Sequence, residues 1–177
     1  EHGILFSADM VRAILDGRKT QTRRVIARHD KYKKLKPGEL LSVRETWAYI
    51  EETDSVFFRA GFDPLAPIPG GKWRPSIFMP KCAARIWLEC IATWAENVQD
   101  ITAEQAEAEG VGAEHSRNRY MLLWEKLNQE RGYGWATNPL VRVIEFRREY
   151  MGGSSIGRAF TCRFETCLPN QKKVFSQ

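Results

Sequence analysis

Lys19 and Thr22 stand three residues apart in the stretch DGRKTQTRRV, residues 16–25. A threonine hydroxyl is a weak nucleophile until a neighbouring base takes its proton. A neutral lysine amine can do so if its pKa falls from about 10.4 toward roughly 7–8. Arg18, Arg23 and Arg24 add like charge that pushes Lys19 that way, more so where water is excluded. Three readings of the stretch stay open: a solvated helix end, a grip on nucleic acid, or a Lys/Thr catalytic pair. Basic residues just past a helix C-terminus suit the negative end of its dipole, and Thr20 and Thr22 suit any strand. In a regular strand, positions 19 and 22 point to opposite faces, so the pair meets only if the chain turns between them.

Charge is concentrated around this pair. Residues 18–36 hold nine Lys/Arg (Arg18, Lys19, Arg23, Arg24, Arg28, Lys31, Lys33, Lys34, Lys36) against one acid, Asp30, so this window is +8 in a chain of formal charge +5 and the remainder is −3. A basic segment in an otherwise mildly acidic chain points to a polyanion-facing surface; a mobile charged loop is the plain alternative. Arg44 and Glu45 in VRETW could line a cleft or form an internal ion pair. Trp47, Trp73 and Trp135 could stack a base or belong to a core. Trp73 and Trp135 rank ahead because GGKWRP and GYGWATNP are turn-rich, and Arg74 beside Trp73 suits a phosphate.

The elements that must position these residues follow from pattern. With 177 residues and 43% hydrophobic content the chain can build one core. Ser7 reads as an N-cap, followed by Met10, Val11, Ile14 and Leu15 at helical spacing up to Gly17. KTQTRRVI suits extended structure, and the run from there to Lys36 reads as loop. LLSVRETWAYI reads as one strand with Leu41, Val43, Trp47 and Tyr49 on one face, broken by Glu45, and SVFFRAGF can pair with it. ARIWLECIATW is dense in β-formers and predicts a strand through the sheet centre. Thr102 with Gln105 forms a capping box for a short helix that Gly110 stops. Tyr120, Leu123, Trp124 and Leu127 fall at i, i+3, i+4 and i+7 of an amphipathic helix, and NPLVRVIEFRR closes with a strand. GGSSIG near residue 152 lacks the Lys-Ser/Thr of a phosphate loop and reads as linker. Helix, strands, helices, strand in this order predict an α+β fold with a mainly antiparallel, strongly curved sheet or small barrel.

Cys82, Cys90, Cys162 and Cys167 form no CxxC pair, and the histidines stand apart at 2, 29 and 115, so neither a metal site nor a cofactor is expected. No leader-like segment and no apolar run near 18 residues marks the chain for secretion or a membrane, and reduced thiols in a cytoplasm fit.

GRKTQTRR, LLSVRETW, KWRPSIFMP, ITAEQAEAEGV and GYGWATNPLVRVIEF together resemble the ASCH family, a PUA-like β-barrel group, most closely its phage and prophage branch, over roughly residues 3–148. The resemblance implies a curved antiparallel β-barrel with helices packed at its mouth and a cleft for RNA or a modified nucleoside. It implies an ASCH domain over 1–150, with an insertion at about 50–80, and a C-terminal extension over 151–177. Some small members are amidohydrolases that remove the acetyl group from acetylcytidine; others are reported as RNA-cleaving. In the amidohydrolases the Lys of GRKT resembles a general base, the Thr three residues later a nucleophile and a Glu of the short helix an acid. Here those positions are Lys19, Thr22 and Glu109, with Glu107 two residues from the last. Attack by Thr22 on the acyl carbonyl, proton transfer to Lys19 and donation by a protonated Glu109 would follow, with backbone amides or Arg23 holding the oxyanion.

Three functions are therefore expected to compete. The first is a nucleoside-directed amidohydrolase. The second is an RNA-binding module, non-catalytic or ribonucleolytic, in which residues 18–36 grip phosphates. The third is a phage assembly or host-interaction protein that uses the insertion and tail as contact surfaces.

Overall fold

The computed structural model describes residues 2–28, 30–63 and 72–150. The 151–177 extension, with Cys162 and Cys167, lies outside the described residues, as do 64–71 and His29.

In chain order the elements are β1 (His2–Leu5), α1 (Ala8–Leu15), β2 (Gln21–Val25), β3 (Leu40–Arg44), β4 (Trp47–Ile50), β5 (Ser55–Phe58), β6 (Trp87–Asn97), α2 (Ala103–Ala108), α3 (Ser116–Asn128) and β7 (Leu140–Glu149). Five strands form one sheet in the order β1-β3-β6-β7-β2, and β4 pairs with β5 in a second, two-stranded sheet. This is the expected α+β class, and the apolar run of β6 occupies the middle of the larger sheet. The described residues divide into two compact units, one of residues 2, 12–28, 30–41 and 88–148, the other of 3–11, 42–63, 72–87 and 149–150.

In the first unit, β2 runs antiparallel to β7 in a register that sets Gln21 against Glu145, Thr22 against Ile144 and Val25 against Val141. Its core gathers Val98, Ile101, Ala106, Tyr120, Trp124, Val141 and Val143. The buried line of α3 is Ser116, Tyr120, Trp124 and Asn128, a spacing of four, and it departs from the expected stripe at its end. Leu127 is 58% exposed. Asn128 replaces it inside because its Nδ2 donates to the Trp124 carbonyl and its own carbonyl accepts from Tyr133 N, which closes the helix end.

In the second unit, the single strand expected over residues 41–49 is two strands. Glu45 is buried; its N–H donates to Met79 Sδ at 3.2 Å and its carboxylate accepts from Arg85. Beyond it, Trp47 exchanges both backbone hydrogen bonds with Arg74 while β4 pairs antiparallel with β5, so the chain has changed partners. Trp47, Met79, Ala83 and Ala84 form the core there.

Candidate functional site

Lys19 is placed by two helix ends. After α1, Gly17 adopts φ +74°, and the amides of Arg18 and Lys19 both donate to the Ala13 carbonyl. Thr20 N then donates to the Ala108 carbonyl, and Lys19 bridges Glu109, the residue that ends α2. α2 starts where the sequence places it: Thr102 Oγ1 accepts from Gln105 N at 3.2 Å and Gln105 Oε1 accepts from Thr102 N at 3.0 Å. Gly110 makes the approach possible. Its φ is +90°, and a Cβ there would lie 3.0 Å from Ala13 Cβ and 3.1 Å from Lys19 Cβ.

Lys19 is 3% exposed and Glu109 4%. Lys19 Nζ donates to Glu109 Oε2 at 2.6 Å, to the Glu109 carbonyl at 2.9 Å and to the Gln21 carbonyl at 2.8 Å, so three acceptors meet its three N–H groups. Burial holds the lysine below its ordinary 10.5; the Glu109 charge and hydrogen bond oppose this, and Arg24 and Arg23 add smaller downward pushes. Desolvation, rather than the neighbouring arginines, is therefore the main influence on Lys19. The Gln21 carbonyl belongs to the same peptide unit as Thr22 N. An ammonium bonded to it lies within about 6 Å of the Thr22 Cα. Thr22 itself is buried on β2.

Arg23 completes the cluster. Its buried guanidinium donates to Glu96 Oε1 at 2.8 Å, Glu109 Oε1 at 3.3 Å and Gln105 Oε1 at 3.0 Å, and lies 5.9 Å from the centre of the Tyr120 ring. Glu109 thus faces a cation at each oxygen. Tyr120 is buried beside this cluster, and desolvation, with the Glu109 charge behind it, pushes its hydroxyl well above 10. Sequence reasoning missed Glu96, Gln105 and Tyr120 as members of the site. Gln105 carried a capping signal only, Tyr120 read as core, and Glu96 stands on β6, far along the chain from Arg23.

The nine cations of residues 18–36 separate into distinct groups. Lys19 and Arg23 are buried in the cluster. Arg24 is half-buried on β2 opposite Arg142. Arg18 is exposed, donating to Asp16 at 2.7 Å and to the Gly110 carbonyl at 3.3 Å. Arg28, Lys31, Lys33, Lys34 and Lys36 are exposed on the segment that follows β2.

Trp135, also in the first unit, sits at the edge of the core. Its ring meets Tyr120 edge-on at 6.3 Å, Arg117 lies 5.7 Å from its centre, and its backbone N–H donates to Glu125 at 2.6 Å. Trp135 is partly buried and packs against the core of this unit. Arg44, Glu45, Trp73 and Arg74 belong to the second unit. Glu45 pairs with Arg85 at 2.9 and 3.1 Å, not with Arg44. Arg74 covers the Trp47 ring at 5.1 Å, and Trp73 meets Phe62 edge-on at 5.7 Å with Arg59 over its face at 5.3 Å. Among the described residues no group of three or more His, Cys, Asp or Glu could hold a metal ion, Cys82 and Cys90 are free thiols, and no helix is long and apolar enough to cross a membrane.

No family model matches the sequence, and no curated protein matches it. Two solved structures are similar to the fold. One is an ASCH domain from Lactobacillus crispatus JV V101, with 14% identity, a TM-score of 0.47, and coverage of 83% of this chain and 78% of that one. The other is a protein from Enterococcus faecalis V583 described under the family DUF984, with 11% identity, a TM-score of 0.42 and coverage of 77% of this chain. This chain spans 64% of the length of the Enterococcus protein.

Proposed function

We propose that the chain is an amide hydrolase of the ASCH kind that removes an acyl group from the exocyclic amine of a cytosine nucleoside. The observation that carries this reading is the buried Lys19–Glu109 pair, 2.6 Å apart, with the same ammonium held at the Gln21 carbonyl beside Thr22. The motifs GRKTQTRR and ITAEQAEAEGV, which carry the likeness to the amidohydrolases, supply the two halves of that pair.

In the reaction we infer, Lys19 first sheds a proton, which burial favours. A neutral amine has two N–H groups and a lone pair, so one of the three acceptors is released and the lone pair can take the Thr22 hydroxyl proton. The Thr22 oxygen bonds to the acyl carbon, and the tetrahedral intermediate collapses with cleavage of the carbon–nitrogen bond. The Lys19 ammonium returns its proton to the departing amine. Water then attacks the acyl-threonine, Lys19 takes its proton, the carbon–oxygen bond breaks, and the proton goes back to Thr22. Glu109 steadies the ammonium through each transfer, and Arg23 holds Glu109 in place. In this scheme Lys19 carries the proton in both directions, while Glu109, whose two oxygens accept from cations, holds the ammonium in place.

The test is release of cytidine from acetylcytidine by the purified protein, with Thr22→Ala and Lys19→Ala alongside. Turnover lost in both variants, each with an unchanged far-UV spectrum, supports the assignment. Turnover that survives in Thr22→Ala, or none in the parent, removes it.

A further inference from the structure

The cations that stay outside the buried cluster are held in a built turn. Between β2 and β3, the Tyr32 and Leu35 side chains are buried while Arg28, Lys31, Lys33, Lys34 and Lys36 are exposed. The backbone is folded on itself: Lys33 N donates to the Asp30 carbonyl, Leu35 N to the Tyr32 carbonyl and Glu39 N to the Lys36 carbonyl. Side chains tie the same turn, since Tyr32 N donates to Asp30 Oδ1 at 3.0 Å and Lys36 N to Glu39 Oε2 at 2.7 Å. Gly38 N and Cys90 N fasten its far end, the first to the Cys90 carbonyl and the second to the Glu39 carbonyl. The Tyr32 ring also packs edge-on against His2 at 6.4 Å.

The acid of this segment is engaged by β7. Asp30 Oδ2 accepts two hydrogen bonds from Arg142, at 3.2 and 3.0 Å, and its side chain is 9% exposed. A salt bridge to β7 therefore neutralises Asp30, and the outward face keeps its positive charge. A solvated loop needs no buried tyrosine and leucine to hold it, whereas a surface that meets a charged partner gains from being ordered in advance, because less entropy is lost on binding. Spaced cations on a fixed backbone suit a chain of regularly spaced anions.

We propose that Arg28 and residues 30–36 form a strap that binds the phosphate backbone of single-stranded RNA, so that the acylated cytosine is presented within an RNA strand. The choice of RNA over other polyanions rests on the acylcytosine reading above. Each phosphate contact on a single strand contributes about −0.7 to the slope of log affinity against log salt, so five contacts give a slope near −3.5. Between 50 and 200 mM salt that is a loss of roughly 100-fold in affinity.

The probe is a fluorescein-labelled single-stranded RNA of twelve nucleotides and mixed sequence, titrated by anisotropy across that salt range. It is applied to the parent, Lys33→Ala/Lys34→Ala/Lys36→Ala, and Thr22→Ala. The expected result is saturable binding by the parent, a slope shallower by about 2 in the triple variant, and unchanged binding in Thr22→Ala. Hydrolysis of free acetylcytidine should be the same in the triple variant as in the parent. Absence of binding at 50 mM salt, a slope the triple variant leaves unmoved, or equal displacement by polyglutamate of matched charge would each overturn the strap. If RNA binds as expected but acetylcytidine is never cleaved, the strap stands and the amide hydrolase falls. If acetylcytidine is cleaved but RNA does not bind, the hydrolase stands and the strap falls.

Discussion

Replacing Glu109 by Gln keeps the shape of the site and removes the charge opposite Lys19. The amide oxygen can still accept a hydrogen bond, so the electrostatic term is isolated. Removing one partner of a buried pair strands the other, at a cost of about 3–5 kcal/mol. Lys19 can escape part of that cost by giving up its proton. Burial already holds its pKa below 10.5 and Glu109 opposes the fall, so the substitution lowers it further. Between the native pKa of Lys19 and the ordinary value of the unfolded chain, the unfolded state binds more protons. Unfolding free energy therefore rises with pH in that window, by up to about 1.4 kcal/mol per unit. Glu109→Gln opens the window at lower pH than in the parent, so its deficit is largest near pH 6 and shrinks as pH climbs through the variant's Lys19 pKa. Urea denaturation at intervals from pH 6 to 10, with midpoint and slope fitted at each, measures this directly. Lys19→Met/Glu109→Gln should recover most of the loss at pH 6, because no buried charge is left unpaired in that pair. A deficit that is flat with pH, or a double variant as unstable as the single one, refutes the account of Lys19 as a buried, burial-shifted amine.

Other outcomes follow from the same geometry. The pH profile of acetylcytidine hydrolysis should rise with pH to an apparent pKa below the ordinary lysine value, since the neutral amine is the base and burial favours it; a profile without that limb counts against Lys19. Arg23→Met leaves Glu96 and Glu109 without the guanidinium they share, which should cost about 3–5 kcal/mol in urea denaturation. It also removes a charge that lowers Lys19, so the limb of any residual activity should move to higher pH. Gly110→Ala meets both a positive φ and the Lys19 Cβ at 3.1 Å; a loss of about 1–3 kcal/mol in stability is expected, with a fall in kcat that thermal melting and kinetics report together. Trp135→Ala should lower stability by about 2 kcal/mol or more as part of the core is lost and leave KM for acetylcytidine unchanged, in keeping with a ring already engaged by Tyr120 and Arg117.

Much of the fold could be read locally. The first helix and its stop at Gly17, the Thr102–Gln105 capping box, the central strand β6 and the closing strand β7 each rest on signals a few residues long, and each forms where those signals put it. The misreadings came where a distant partner decided the outcome. LLSVRETWAYI keeps period two across Glu45, but Glu45 is claimed by Met79 and Arg85, and the chain beyond it by Arg74. Leu127 fits the helical stripe by spacing, yet Asn128 is drawn inside by hydrogen bonds that end the helix. Pattern gives the period of an element, but not which residue ends it or with whom it pairs.

The basic run shows the same limit in its sharpest form. Residues 18–36 contain nine cations and one acid, and from that count every cation is equally a candidate for a polyanion. Tertiary structure sorts them by supplying acids from elsewhere. Glu109 and Glu96, which the charge window does not contain, bury Lys19 and Arg23. Arg142, which it also does not contain, pairs with the window's one acid. One sequence feature thus gives two surfaces of opposite character: a dry cluster in which cations and carboxylates are matched, and a wet strap on which cations predominate. Salt separates the two, since screening acts on exposed charge far more than on buried pairs. Added salt should therefore weaken RNA binding steeply while leaving turnover of free acetylcytidine nearly constant. A parallel decline of both would mean that the substrate pocket, and not the strap, carries the electrostatic attraction.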